Sequence, residues 1–397
     1  MLSEAQTLQV LGRSVRLFEQ DFEDSHSAIS DALCGSSILI LGAAGSIGGA
    51  TVERIAGFRP KVLHLVDSNE NELAEIVRKL RISEFLLSQT SFATYAIDIN
   101  SSIFEQFCGD GREYDYIFNF AAMKHVRSES NVYSLLRMIH TNIITTNRII
   151  SNLFNNSNFK YFCVSTDKAA NPVNLMGYTK LIMEKYAFSN VDNVKVSSAR
   201  FANVAFSNGS LLQSFDRRFF SGHALVVPSS IKRFFVTEAE AGAICAISGC
   251  LAPHRSILIP SESAGLALIA FEEIVTNYLN VRGYSPHFIS DGVKFDKRSL
   301  SDGAWPVIVS EVNTTGEKPF EEFSTADDKV VKGRYRHLNE IQKDPYLPEI
   351  DANEFERLYR ELLSRDLIDK SDILKLLEKT GVQAHYVDLG RYLDDKL

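Results

Sequence analysis

The chain has 397 residues, more than one compact domain usually needs, so a main domain with an added lobe is expected. With 45% hydrophobic residues it can bury a large core, and a formal net charge of −8 argues against general binding to nucleic acid or anionic membranes. A local basic pocket for a phosphorylated small molecule remains open.

The five cysteines, Cys34, Cys108, Cys163, Cys245 and Cys250, are odd in number and none are spaced CxxC. Neither a disulfide framework nor a zinc site is indicated, so buried reduced thiols and no metal are expected. No uninterrupted apolar run approaches ~20 residues, so no membrane span is expected. The N-terminus lacks a basic-then-apolar order. Together these features suggest a cytoplasmic protein.

Residues 1–35 are expected to form a helical arm. From Ser37 the character changes: Ile38-Leu39-Ile40-Leu41 is a short buried strand that runs into Gly42-Ala43-Ala44-Gly45-Ser46-Ile47-Gly48 and then an amphipathic helix. Glycines in such a turn let the backbone approach a pyrophosphate, and the helix start offers unpaired N–H groups and a positive dipole end. A second strand, 61–66, ends at Asp67, followed by Ser68 and Asn69. A carboxylate there can accept hydrogen bonds from an adenosine ribose and would repel a 2′-phosphate, which favours NAD over NADP. The alternative role for Asp67 is to cap the next helix. The third strand ends in Asp98-Ile99, an acid and an apolar residue that could bracket an adenine.

The fourth strand, 116–120, stops at Ala121-Ala122-Met123-Lys124-His125-Val126. Two small residues leave room for a cofactor backbone, and Lys124 and His125 point near the same crevice. A helix over about 132–153 contains Asn142, placed to bond a backbone carbonyl. The fifth strand leads into Ser165-Thr166-Asp167-Lys168, then Asn171-Pro172, then a helix carrying Met176, Tyr178 and Lys180. Ligands of open α/β sheets sit at the carboxyl ends of strands, so Thr166, Asp167 and Lys168 should face one. The sixth strand, 194–201, precedes Asn203 and Gly209-Ser210. Strands and helices thus alternate from 37 to 206, the pattern of a doubly wound parallel sheet.

After 210 the alternation loosens. The expected organisation is an α/β, Rossmann-like dinucleotide-binding domain over 36–210, a smaller substrate lobe over 211–340, and a helical tail over 341–397. The lobe would contain Arg233, a small-residue helix near 239–250 and the Gly316-Glu317-Lys318 turn. A polar loop is expected at 327–333. The tail has apolar spacing at Phe355, Leu358, Leu362 and Leu363, fit for packing or subunit contact.

These residues resemble those of the extended short-chain dehydrogenases/reductases, and within them the nucleotide-sugar 4,6-dehydratases of the polysaccharide-biosynthesis group. The resemblance covers roughly residues 10–330. It rests on Leu11-Gly12-Arg13, Ala121–Val126, Ser165–Lys168, Asn171-Pro172, Met176–Lys180, Arg200-Phe201 with Asn203-Val204, Gly209-Ser210, Arg233-Phe234-Phe235 and Gly316–Lys318. It implies NAD, held by Gly42, Gly45, Ser46, Ile47, Gly48, Asp67, Ser68, Asn69, Asp98, Ile99, Ala121, Ala122, Lys124, Asn142 and Lys180. It implies a nucleotide sugar, most simply UDP-N-acetylglucosamine, held by Lys124, His125, Asn203, Gly209, Ser210, Arg233 and Glu317. Asp167 would protonate the departing C6 hydroxyl, Lys168 would take the C5 proton, Thr166 would bond the C4 oxygen and Lys180 would hold the nicotinamide ribose. A homo-oligomer is also implied, with the helices at 132–153 and 176–187 either forming a dimer bundle or serving as core.

Three positions depart from the wider pattern. Met176 stands where most relatives have the tyrosine of Tyr-x-x-x-Lys. The configuration-retaining UDP-N-acetylglucosamine enzymes resemble this chain in that respect. Thr314 stands where many have arginine, and Arg127 where proline is frequent. Tyr178, two residues from Lys180, points to another helix side. The competing readings are a C5-inverting dehydratase, a nucleotide-sugar 4-epimerase, and an NAD-binding sensor without activity.

Overall fold

The computed structural model describes residues 2–82, 90–151, 153–154, 158–189, 194–291, 303–311, 318, 320–345, 348–383 and 386. The expectations placed on Thr314, Gly316 and Glu317 lie outside the described residues.

In chain order the elements are α1 (Glu4–Val10), α2 (Glu19–Asp24), α3 (His26–Leu33), β1 (Ser37–Leu41), α4 (Ser46–Ile55), β2 (Val62–Asp67), α5 (Glu70–Ile82), β3 (Ser91–Ala96), α6 (Ser102–Cys108) and β4 (Tyr116–Asn119). There follow α7 (Val132–Ile139), a π-helical turn (His140–Thr145), α8 (Thr146–Ser151), β5 (Lys160–Val164), α9 (Leu175–Ser189), β6 (Lys195–Ala199), β7 (Asn203–Val204), α10 (Leu211–Phe220), β8 (Leu225–Pro228) and β9 (Lys232–Val236). The chain continues through α11 (Glu238–Leu251), β10 (Ser256–Pro260), β11 (Leu268–Ala270), α12 (Phe271–Val281), β12 (Ser285–Ser290), β13 (Ala304–Ser310), β14 (Lys329–Val331), β15 (Leu338–Gln342), α13 (Ala352–Leu363) and α14 (Lys370–Glu378).

Strands β1 to β6 form the parallel order β3-β2-β1-β4-β5-β6, and the apolar runs of β1, β2, β4, β5 and β6 are buried while the edge strand β3 is partly exposed. This is the doubly wound dinucleotide-binding order, and the direction of winding reverses between β1 and β4. A ligand crevice is therefore expected at the carboxyl ends of those two strands.

The main domain does not end at 210. β10 adds parallel to β6, β15 adds antiparallel to β10, and β14 adds to β15, giving a nine-stranded sheet. α11 packs against α4 on one face of this sheet. Its small residues allow that approach: a Cβ at Gly242 would lie 2.7 Å from the Ala50 carbonyl oxygen. The lobe expected over 211–340 is thus two smaller three-stranded sheets, β11-β9-β7 and β12-β13-β8, interleaved with elements of the main domain. The segment expected as a loop at 327–333 carries β14. Four of the five cysteines are buried, and Cys34 is exposed, contrary to the expectation for it.

The arm over 1–35 folds onto its own chain. Arg13 forms a two-pronged ion pair with the fully buried Glu240, at 2.6 and 3.0 Å. The tail covers the outer face of α7 and α9: Phe355, Tyr359, Leu362, Ile373 and Leu377 pack with Leu135, Ile139, Leu175, Ile182 and Tyr186. The faces of those helices that carry these residues are core beneath the tail.

Candidate active site

β1 ends in a turn that has to be glycine-rich for steric reasons. Gly42 has φ +70°, and a Cβ there would sit 2.5 Å from the Ala121 backbone nitrogen. At Gly48 a Cβ would sit 2.2 Å from the Gly42 carbonyl oxygen, so α4 can start this close to β1 only with glycine. Gly45 is the N-cap of α4 and has no side chain to bond the first-turn N–H groups, which leaves them to a ligand.

At the end of β2, Asp67 accepts from the Ala44 N–H at 3.0 Å and the Asn69 N–H at 2.9 Å. One carboxylate thus fixes the glycine turn and the approach to α5, and still lines the crevice. Asn69 instead caps the first turn of α5, accepting from the Glu72 N–H at 3.2 Å, and does not line the crevice.

The crevice has a volume of about 660 Å³. Gly42, Gly45, Ser46, Ile47, Gly48, Asp67, Ser68, Asp98 and Ile99 line one end. Ala121, Ala122, Lys124 and His125 follow from β4, with Thr166, Asp167, Lys168, Met176 and Lys180 from β5 and α9, and Asn203, Gly209 and Ser210 from the lobe side.

Two of the remaining expected contacts lie elsewhere. Asn142 is buried behind the wall, accepting from the Met123 N–H and donating to its carbonyl, each at 3.0 Å, so it shapes the β4 turn. Arg233 donates to the Lys232 and Lys318 carbonyls, each at 2.9 Å, and does not line the crevice.

The reactive cluster sits on a single 3₁₀ turn, Asp167–Ala169, directly after β5. Asp167 Oδ1 accepts from Thr166 Oγ1 at 2.8 Å, from the Lys168 N–H at 2.9 Å and from Lys168 Nζ at 3.1 Å. Asp167 Oδ2 is buried and has no hydrogen-bond partner. An unsatisfied buried carboxylate oxygen is costly and marks a place for a donor. Thr166, Asp167 and Lys168 therefore act as one unit, with one oxygen saturated and the other open.

Lys180 Nζ is buried and donates to the Val164 carbonyl at 3.0 Å. Burial pushes its amine down to about 8, against the opposing pull of Cys163 and Glu184. Met176 occupies the tyrosine position and lines the crevice, where it cannot ionise. Tyr178 points away: its hydroxyl donates to the Val382 carbonyl and anchors the tail. Burial also lowers Lys124, partly offset by Glu238, and lowers His125 together with the charges of Lys124 and Arg127. The His125 ring packs on Gly209, where a Cβ would come within 2.7 Å of it.

Sequence reasoning missed Arg137 and Thr141, which also line the crevice. Arg137 pairs with Asp98 at 2.8 Å, but in the sequence it looks like any solvated helix residue.

A glycine turn at the switch point and a hydroxyl–carboxylate–amine set after β5, lining one crevice, define a protein of Rossmann-type α/β fold. The chain belongs to the polysaccharide biosynthesis protein family, whose model matches residues 38–343. It is 27% identical over 331 residues to the capsular polysaccharide biosynthesis protein CapD of Staphylococcus aureus, a match covering 82% of this chain and 52% of CapD. The chain thus spans about half the length of that relative. Two solved structures share the fold. Pen from Bacillus thuringiensis has a TM-score of 0.63 and 20% identity over 85% of this chain and 100% of Pen. A DesIV double mutant from Streptomyces venezuelae, a dTDP-glucose 4,6-dehydratase with NAD and DAU bound, has a TM-score of 0.52 and 15% identity over 86% of this chain and 96% of DesIV.

Proposed function

We propose that this chain is an NAD-dependent, configuration-retaining 4,6-dehydratase of a UDP-sugar, most simply UDP-N-acetylglucosamine, acting in surface-glycan biosynthesis. The observation that carries this reading is the Thr166-Asp167-Lys168 unit in the same crevice as the glycine turn, with Asp167 Oδ2 buried and open. The fit to NAD rests on the close-approach glycines, the free start of α4 and the Asp67 carboxylate at the ribose end of the crevice. NAD, when bound, would supply redox capacity, accepting hydride from sugar C4 and returning it at C6.

The chain's own residues move the protons. Thr166 Oγ1, already donating to Asp167, is placed to accept from the C4 hydroxyl and relay its proton to that carboxylate. This replaces the missing tyrosine, since Met176 cannot take a proton. The C5 hydrogen, acidic beside a C4 ketone, then needs a neutral amine, and the C6 oxygen needs a protonated acid. Adjacency in an ion pair, with Lys168 Nζ 3.1 Å from Asp167, opposes both demands; the proton relayed from C4 makes Asp167 the acid, and Lys168 becomes the base once its ammonium has released a proton to solvent. A desolvated crevice favours this neutral pair of free amine and carboxylic acid. Lys168 then removes the C5 proton, Asp167 protonates the C6 oxygen, and water leaves. Lys180 holds the ribose end, and Lys124, Asn203 and Ser210 face the diphosphate and base.

Asp167→Asn tests this directly. The variant should retain NAD and lose dehydration by a factor on the order of 10²–10⁴. Near-wild-type turnover would remove Asp167 from the mechanism.

A further inference from the structure

The loop between β7 and α10 touches both walls of the crevice, and the mechanism above gives it no task beyond Ser210. Its entry is strained: Phe206 is a bulky residue in the left-handed region, at φ +58°, and its ring stacks on Tyr278 in the lobe with centroids 6.1 Å apart. Ser207, Asn208, Gly209 and Ser210 follow, and all four line the crevice. On the cofactor wall the Asn208 N–H donates to Ser46 Oγ, in the first turn of α4, at 3.1 Å. On the β4 wall the His125 ring lies against Gly209, whose φ of +75° and missing Cβ permit an approach that a Cβ would block at 2.7 Å. Gln213, in the first turn of α10, does not line the crevice but ties the loop from behind. Its Oε1 accepts from the Gly209 N–H at 2.8 Å, and its Nε2 donates to Asn208 Oδ1 at 3.0 Å. Its own N–H donates to the capping Ser210 Oγ at 3.2 Å, and Arg217 donates to the same Oε1 at 3.3 Å.

We propose that Gln213 is a positioning residue that holds the 206–210 loop over the start of α4 as a gate to NAD exchange. A loop tied to Ser46 at one wall and resting on His125 at the other roofs the crevice between them, where the diphosphate of a dinucleotide lies on the helix start. Entry and exit both wait for the loop to lift, which breaks the Ser46 tie. The two Gln213 bonds oppose that movement by keeping Asn208 and Gly209 in place. A bulky residue keeps a left-handed φ only where its surroundings enforce it, so the closed loop is held by these ties rather than by the preference of Phe206. The assignment rests on NAD binding alone. The proposed dehydration gives it a purpose, since hydride taken from the sugar is returned only if the cofactor has not left.

The test times the release of radiolabelled NAD from wild type and Gln213→Ala into excess unlabelled NAD, and measures Kd for NAD by equilibrium dialysis. Weakening a gate speeds uptake and release together. Gln213→Ala should release NAD about ten-fold faster, as two lost hydrogen bonds of ordinary net strength imply, with a Kd within about two-fold of wild type. Alanine is a good helix former, so α10 should stand. Gln213→Glu, which keeps the acceptor for the Gly209 N–H, should recover part of the slow release. Gly209→Ala pushes the loop off His125 from the other wall and should also speed release; it serves if Gln213→Ala folds poorly. Unchanged release in a folded Gln213→Ala variant overturns the proposal. So does a Kd that weakens in step with faster release, because the loop would then bind the cofactor rather than gate it. Wild type with no affinity for NAD overturns the cofactor assignment together with the gate. Gated release in a wild type that dehydrates no nucleotide sugar overturns the dehydratase reading alone.

Discussion

Lys168 and Lys180 are two amines with opposite settings. Lys168 is half of an ion pair at the crevice, whereas Lys180 reaches the same crevice from a buried position with its ammonium against a carbonyl. Lys168→Met should abolish deuterium uptake at C5 from heavy water while NAD stays bound; undiminished uptake would exclude Lys168 as the C5 base. For Lys180 the consequence is a pH-dependent stability. Its folded value of about 8 lies below an unfolded value of ~10.4. Between these the unfolded chain binds more protons, so the stabilisation from this group grows with pH. It is fully present above the unfolded value and lost as pH falls through the folded one. The difference in unfolding free energy between wild type and Lys180→Met should therefore move in favour of wild type by about 2–3 kcal/mol from pH 8 to 10. Denaturant titrations that stay parallel over this range would show that Lys180 is not buried as described. The residues of the site were largely legible from the sequence because chemistry clusters locally, three reactive side chains in a row after an apolar strand. Arg137 was not, because a basic residue on an amphipathic helix looks solvated until the fold sets Asp98 opposite it.

Among the elements, the glycine turn and α4 carry the clearest steric prediction. Gly48→Ala would drive a Cβ to 2.2 Å from a backbone oxygen that cannot rotate away, whereas Gly45→Ala meets its nearest atom at 3.4 Å. Gly48→Ala should lose NAD and about 1–3 kcal/mol of stability, the usual range for overpacking. Gly45→Ala should fold with near-wild-type stability. Equal losses in calorimetry would contradict the packing described. Strands and helices up to β6 could be read from the sequence because their period and their glycine punctuation are local. The membership of α11, β10 and β15 in the main sheet could not. Their pairing partners, such as Ile257 with Ser198 and with Ile341, are 59 or more residues away and leave no local trace. The small residues of α11 were visible, but their reason, contact with α4, is tertiary.

For the molecule as a whole, the tail is the unexpected feature. Its apolar stripe was plain in the sequence, while the surface it covers was not. By sheathing α7 and α9 it fixes the helix that carries Met176 and Lys180, and Tyr178 is one of its anchors. Tyr178→Phe removes a buried donor to the Val382 carbonyl and should cost about 1–2 kcal/mol in denaturant unfolding. The pH profile of turnover should be unchanged in that variant. A lost or displaced basic limb would mean that Tyr178 is the catalytic tyrosine after all.

In the proposed reaction one crevice removes water across C5 and C6 of a nucleotide sugar without a catalytic tyrosine. The most direct measurement is a mass and proton-NMR time course of the purified protein with UDP-N-acetylglucosamine in ordinary and heavy water. The predicted result is loss of one water, deuterium at C5, and ring couplings that report an unchanged C5 configuration. A product of unchanged mass with an inverted C4, or inversion at C5, would contradict it.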